Sequence, residues 1–256
     1  SVGRALVFRP DPLARAGVTY GGAYIDDNDQ NTAVLDPLRD TVSVGLTYSN
    51  GFFTLENSAA VIQELDAPVV AIPTQAQSDF FFSRSDAGFE MTNALYHIER
   101  IRSRLDSLGF GSLITYAIPV DVNAFNGIDN SAFDRATNPP RLLFGEGGVD
   151  DAEDSDVIAH EYGHALSRAA APFTVNGTER ECLEEALCDY FAMSHSYRWE
   201  TWRHQYIFHW DGHNPFWGGR MGFSTKDYSQ LTFSSIYSHT DVFADPLGVS
   251  MVSLGP

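Results

Sequence analysis

Basic residues are scarce in this chain: 16 Lys and Arg stand against 34 Asp and Glu among 256 residues, a net charge of -18. A surface of that sign repels nucleic-acid phosphates and anionic lipid, so neither is an expected partner. Cysteine is nearly absent. Cys182 and Cys188 are the only two, and six positions apart on one expected helix they face different ways, too far apart to bridge; both are read as free and packed. So sparing a use of cysteine does not fix the compartment, because secreted bacterial enzymes often lack disulfides. No apolar run approaches the roughly 18 residues of a membrane span. The chain begins at Ser1 with neither an initiator methionine nor a signal peptide, which leads us to expect a mature or trimmed form. No internal repeat is visible.

What is present is a globular composition, 43% hydrophobic and sufficient for a sizeable core. The first half reads as mostly strand. Val42, Val44, Leu46 and Tyr48 alternate, Asn50-Gly51 signals a turn, and Phe52 to Leu55 follows. Met91, Ala94, Leu95, Ile98, Ile101, Leu105 and Leu108 fall at helical spacing, predicting a helix over about 89–108 that Gly109 stops. Leu113 to Val120 reads as a buried strand, Asp121 to Phe125 as a second extended segment, and Gly127 to Pro140 as loop. Ser155 or Asp156 can cap a helix running to about Ala169. A further helix is expected over about 180–195, then an aromatic-rich remainder of helices and loops.

The chemistry is concentrated in His160-Glu161-Tyr162-Gly163-His164. Two histidines four apart project from one helical face, so both can reach one metal. Glu161 lies about 100° round the helix from His160, beside the place where a water would sit. Neutral imidazole suits Zn²⁺, and an open fourth position marks a catalytic site. The structural alternative is a pair of exposed or hydrogen-bonded histidines, against which the apolar flanks argue. A third ligand is needed. Glu185 and Asp189 share a helical face; one carboxylate can ligate zinc, and one a turn further on can accept the other ring N–H of a ligand histidine. Leu183, Ala186, Leu187, Tyr190 and Phe191 make this helix substantially apolar, while Glu181 and Glu184 are expected to be solvated.

These residues resemble the thermolysin and fungalysin families of zinc endopeptidases. The gap from His164 to Glu185 is 21, and Glu185-Ala186-Leu187-Cys188-Asp189 is similar to their Glu-Ala-x-x-Asp. Phe144-Gly145-Glu146-Gly147-Gly148 resembles their glycine-rich approach to the motif helix, and Phe89 to Phe110 their long first helix. The resemblance covers about 80–195 well and the rest loosely. It implies an α+β, two-lobe zincin, with a β-rich lobe over 1–155, a mainly helical lobe over 156–256, and the active-site helix between them. It implies a secreted zinc-dependent endopeptidase acting on polypeptides through a zinc-activated water. His160, His164 and Glu185 would be the ligands, Glu161 the general base, and Asp189 the partner of His160. Asn123-Ala124-Phe125 is similar to the edge strand that pairs with substrate backbone. Arg220 is a candidate partner for a substrate carbonyl, with a surface arginine after a glycine turn as the plain alternative.

The sequence departs from that pattern in places. No tyrosine follows the motif helix, where Pro172-Phe173-Thr174 stands. His239, in Tyr237-Ser238-His239-Thr240-Asp241, is the only histidine at a suitable distance to stabilise the oxyanion. Only 17 residues follow it, which suggests a piece of a longer precursor. His209 and His213 are also four apart, but Gly212 and Asn214-Pro215 make that stretch a loop, so no second metal pair is expected there. Calcium is the other cation to consider. Asp27, Asp29 and Asn31 outline a loop without the glycine and distal glutamate of an EF-hand, and Asp150, Asp151 and Asp154 form a second acidic stretch. Asp156 holds a thermolysin calcium position, but Ser196 stands where its partner carboxylate is expected. Asn176-Gly177-Thr178 is a glycosylation sequon. The competing class is a zincin-fold binding or scaffold domain that keeps zinc and has lost turnover; a non-peptide zinc hydrolase is disfavoured by the Asn123-Ala124 strand.

Overall fold

A computed structural model describes residues 1–174 and 177–254; Asn176 of the sequon lies outside the described residues. The fold is mixed α+β, with several small sheets. In chain order the elements are β1 (Val2–Val7), α1 (Pro12–Ala16), β2 (Asp40–Gly45), β3 (Thr47–Ser49), β4 (Phe52–Thr54), β5 (Ala60–Ile62), β6 (Asp79–Phe80), α2 (Gly88–Ser107), β7 (Ile118–Ala124), β8 (Ser131–Asp134), β9 (Arg141–Gly145), α3 (Ser155–Ala170), α4 (Thr178–Ser196), β10 (Tyr206–Ile207), β11 (Arg220–Met221) and α5 (Thr240–Leu254). No described helix is long and apolar enough to cross a membrane.

The sheet that matters for the cleft has the order β5-β7-β9-β8. β5, β7 and β9 run parallel, and β8 closes one side antiparallel to β9, with Ser131 opposite Phe144 and Asp134 opposite Arg141. Every residue of β7 is buried, as befits an inner strand covered on both faces. A second sheet, β2-β1-β6, also packs on α2, through β1 and β2. β3 and β4 form the hairpin expected around Asn50-Gly51, with both turn residues at positive φ.

α2 forms within a residue of its predicted limits. Its apolar stripe (Met91, Ala94, Leu95, Ile98, Ile101, Leu105) is buried in the core, and Gly109, at φ +85°, lies just past its end. The structure corrects two expectations nearby. Leu113 to Ala117 is not strand, and the two extended segments merge into the single β7. The stretch 127–140, expected as loop, contains β8, whose short Ser-Ala-Phe-Asp sequence carries little strand signal. Residues on both sides of the 155/156 boundary share one contiguous hydrophobic core, from Ala5 to Met251.

The interior also holds an unusual number of acids. Some are compensated. Arg84, 1% exposed, places its guanidinium 2.8 Å from Glu153 and 2.5 Å from Asp26, and Trp210 Nε1 donates to Glu153. Others are not. Burial raises Asp11 to about 7 and Asp151 to about 8, with neighbouring carboxylates adding to the shift. A carboxyl with a folded pKa above its unfolded value binds more protons when folded, so its effect on stability worsens as pH rises through the folded pKa. The buried pair His97 and His195 acts the other way, burial lowering both, but these groups lose stability mainly below their unfolded pKa of about 6.5. Chelator-treated protein should therefore show a higher Tm at pH 6.5 than at pH 8, measured calorimetrically; a Tm that rises with pH across this window would contradict the acidic interior.

Candidate metal centre

α3 starts where Asp154 caps it, accepting from Asp156 N at 2.8 Å through Oδ1. The other oxygen of Asp154 accepts from Trp210 N and Asp211 N, and Asp156 accepts from Phe208 N at 2.9 Å. These bonds tie the helix start to the 208–211 loop. Ser196 donates to Asp156 rather than adding a carboxylate, so the Asp156 position is satisfied by hydrogen bonds.

One close approach lets α3 and α4 share a site. A Cβ placed on Gly163 would lie 3.0 Å from Cys188 Sγ and 3.1 Å from Cys188 Cα. Packing therefore favours glycine here, since a Cβ would crowd Cys188, at the cost that glycine carries within a helix. Both cysteines are free and buried, as the sequence implies.

The three expected ligands converge. His160 Nε2 and His164 Nε2 are 3.2 Å apart, His160 Nε2 is 3.3 Å from Glu185 Oε2, and His164 Nε2 is 3.4 Å from Glu185 Oε1. Groups spaced in this way bracket a point about 2 Å from each, the length of Zn–N and Zn–O bonds. The donor set therefore fits a zinc ion, with two imidazoles and one carboxylate. Cys188 Sγ also lies within 4.8 Å of ring nitrogens of both histidines, as a wall of the site on the α4 side. Burial and Arg220 work against protonation of His160, yet Asp189 and Glu185 outweigh them and raise its pKa. Burial opposes the charge on Glu185 too, but bonds from His160 and His164 lower its pKa.

Each histidine has a carboxylate behind it. His160 Nδ1 lies 3.0 Å from Asp189 Oδ1, a short but bent contact closer to an ion pair than to a straight hydrogen bond. His164 Nδ1 is hydrogen-bonded to Glu184 Oε1 at 3.0 Å, and Arg180 holds Glu184 at 3.0 Å. Glu184 is thus a positioning residue that the sequence reading left in solvent; its only signal was adjacency to Glu185 on a helix facing His164. Conversely, Leu183 and Leu187, expected to help bury α4, are exposed, and Cys182, Ala186, Ala192 and Met193 form its packed face.

The centre opens into a cleft of about 480 Å³ lined by residues 129–133, Asp151, Val157, Glu161, Phe208, Trp217, Arg220 and Tyr237 among others. Glu161 lines it without a hydrogen bond or ion pair to any described residue. Arg220 reaches Glu185 at 3.0 Å and Asp189 at 3.1 Å, with its guanidinium 5.1 Å from the Phe208 ring centroid and 5.3 Å from that of Tyr237. It is an inner residue, not the surface arginine of the plain reading.

Two expected site groups sit elsewhere. Asn123 and Ala124 belong to the inner strand β7: Asn123 Nδ2 donates to Glu146 at 2.7 Å, and Ala124 pairs with Gly145. The sheet edge at the cleft is β8. His239 does not line the cleft; its ring meets Thr232 Oγ1 at 3.4 Å. The chain turns into α5 at Thr240, so residues 237 and 239 face different ways, and Tyr237 takes the place at the cleft. His213 Nε2 donates to Ile207 O and Arg220 O, fastening the β10–β11 pair, and belongs with His209 to no metal-binding group among the described residues.

No family model and no curated protein matches this chain. Removing the supporting carboxylates one at a time tests the geometry. Glu184→Ala and Asp189→Ala should each weaken zinc binding by roughly 10–100-fold in competition with a chromophoric chelator, whereas Glu181→Ala should not. Gly163→Val should lower both zinc affinity and Tm, because the added methyl groups must displace α4.

Proposed function

We propose that this chain is a secreted zinc-dependent endopeptidase of the thermolysin-like, two-lobe kind, with polypeptides as its substrates. The observation that carries the reading is the convergence of His160, His164 and Glu185 beside an uncommitted Glu161 in an open cleft. When bound, zinc would supply Lewis acidity, polarising a peptide carbonyl and making a water acidic enough to attack at neutral pH.

The protein's own groups account for the rest. Glu161 takes a proton from the attacking water and passes it to the departing amine. Tyr237 and Arg220 face the carbonyl oxygen as charge builds on it. Burial and then the nearby Glu185 charge raise the Tyr237 pKa, so its phenol keeps the proton that it must donate. Asp189 and Glu184 orient the two imidazoles. The open edge of β8 offers backbone groups on which an extended peptide can add as a strand, the part first assigned to Asn123 and Ala124. Strand addition uses main-chain bonds and so selects little by sequence.

Hydrolysis of casein with and without chelator separates this reading from a zinc-retaining binding domain, which would show no chelator-sensitive turnover. Glu161→Gln should keep zinc and lose about a hundred-fold or more of kcat. Tyr237→Phe should lower kcat with little change in KM, by roughly 2.7–4 kcal/mol if it is the main oxyanion donor. His239→Ala should leave kcat nearly unchanged. The reverse outcome for the last two would restore His239 to the role first expected of it.

A further inference from the structure

Three acidic groupings lie near the cleft, and they differ in how their charge is met. Asp26, Asp29 and Glu153 surround Arg84, whose guanidinium is 2.5, 3.4 and 2.8 Å from them. Asp154 and Asp156 are satisfied by backbone N–H groups. Asp129, Asp151 and Asp211 form the third, with one carboxylate oxygen from each within 4.8 Å of the others. No Lys, Arg or His forms an ion pair with any of the three among the described residues.

The third grouping also contains an unsatisfied atom. Asp211 is 4% exposed; its Oδ2 accepts from Trp217 Nε1 at 3.0 Å, while its Oδ1 is buried with no hydrogen-bond partner. A buried carboxylate oxygen left unpaired costs several times the net worth of one hydrogen bond, unless a cation or a proton meets it. Asp151 accepts from the hydroxyl of Ser131, on β8, and all three acids line the same cleft as His160 and Glu161.

We propose that Asp129, Asp151 and Asp211 form a second cation site in the cleft that takes one calcium ion. The ligand chemistry selects the ion. All donors are oxygen, with neither imidazole nor thiolate, which suits a hard cation rather than zinc. Oxygens up to 4.8 Å apart share a point as much as about 2.8 Å from each, nearer to Ca–O distances than to the tight shell of Mg²⁺. Three protein carboxylates leave room for water on the cleft side, where Asp129 is exposed. Position sets the consequence: the ion joins the loop before β8, the turn before α3 and the 208–211 loop, holding the edge strand at a fixed distance from the metal centre. Burial, with added repulsion from other carboxylates, raises Asp151 and Asp211, a repulsion that a bound cation would relieve.

The site can be read without any assay of turnover, so it stands or falls apart from the peptidase reading. The zinc-loaded chain is titrated with Tb³⁺, which replaces calcium, and emission is excited through tryptophan. Trp217, bonded to Asp211, is the expected sensitiser. One Tb³⁺ should bind per chain, be displaced by Ca²⁺ in preference to Mg²⁺, and lose its sensitised emission in Trp217→Phe. Asp211→Asn and the exposed Asp129→Asn should each weaken binding about ten-fold or more, while Asp29→Asn, in the Arg84 cluster, should not. Asp129→Asn guards against misfolding of the buried variant. Wild-type Tb³⁺ affinity in both Asp129→Asn and Asp211→Asn, displacement by Mg²⁺ alone, or no Tb³⁺ binding would overturn the proposal. So would an Asp211→Asn protein that binds no less calcium but loses affinity for peptides containing Lys or Arg, which would make the grouping a peptide-binding pocket.

Discussion

The close contact between α3 and α4 at Gly163 and Cys188 is the constraint on which the metal centre depends. A ligand triangle about 3.3 Å on a side cannot be assembled by side-chain flexibility alone when its members come from two helices. The backbones must already be near, and glycine at the fourth position of the motif lets Cys188 approach to a distance at which a methyl group would be crowded. Cys188 follows Glu185 by three residues and precedes Asp189 by one. The contact therefore fixes the height and rotation of α4 at the turn that carries both carboxylates facing His160.

Charge shapes the rest of the interior. With so few basic residues, the fold cannot pair each buried acid with a cation of its own. Arg84 serves three acids at once, backbone N–H groups serve Asp154 and Asp156, and Arg220 serves Glu185 and Asp189. Arg220 also stacks near two aromatic rings, an arrangement that suits guanidinium and that lysine would fill poorly.

The convergence of His160, His164 and Glu185, the approach of Asp189 to His160 and the limits of α2, α3 and α4 were legible in the sequence, because each rests on a spacing set by helix geometry. The errors have a common origin in what spacing does not encode. Asn123 and β8 were confused because a short polar strand gives no alternation, and only the sheet order tells which strand is the edge. Tyr237 rather than His239 lines the cleft, a matter of direction at the entry to a helix that residue type does not encode. Glu184 was left in solvent because a lone carboxylate on a helix reads as exposed until the helix that faces it is known. The mixed α+β class was implied by the resemblance and agrees with the two kinds of periodicity, but the small separate sheets were not visible in either.

The bonds from Asp154 and Asp156 to the amides of residues 208, 210 and 211 have a mechanical meaning. Through them the 208–211 loop behaves as a prolongation of the motif helix, although some fifty residues separate the two in sequence. The Phe208 ring, 5.6 Å from that of His160, and the Asp211 carboxylate then travel with α3 as one rigid piece. Any breathing of the cleft is then left chiefly to the segment bearing Tyr237, which these bonds do not reach. Thermal motion should thus enter the cleft from that side, leaving His160 and His164 as its still reference.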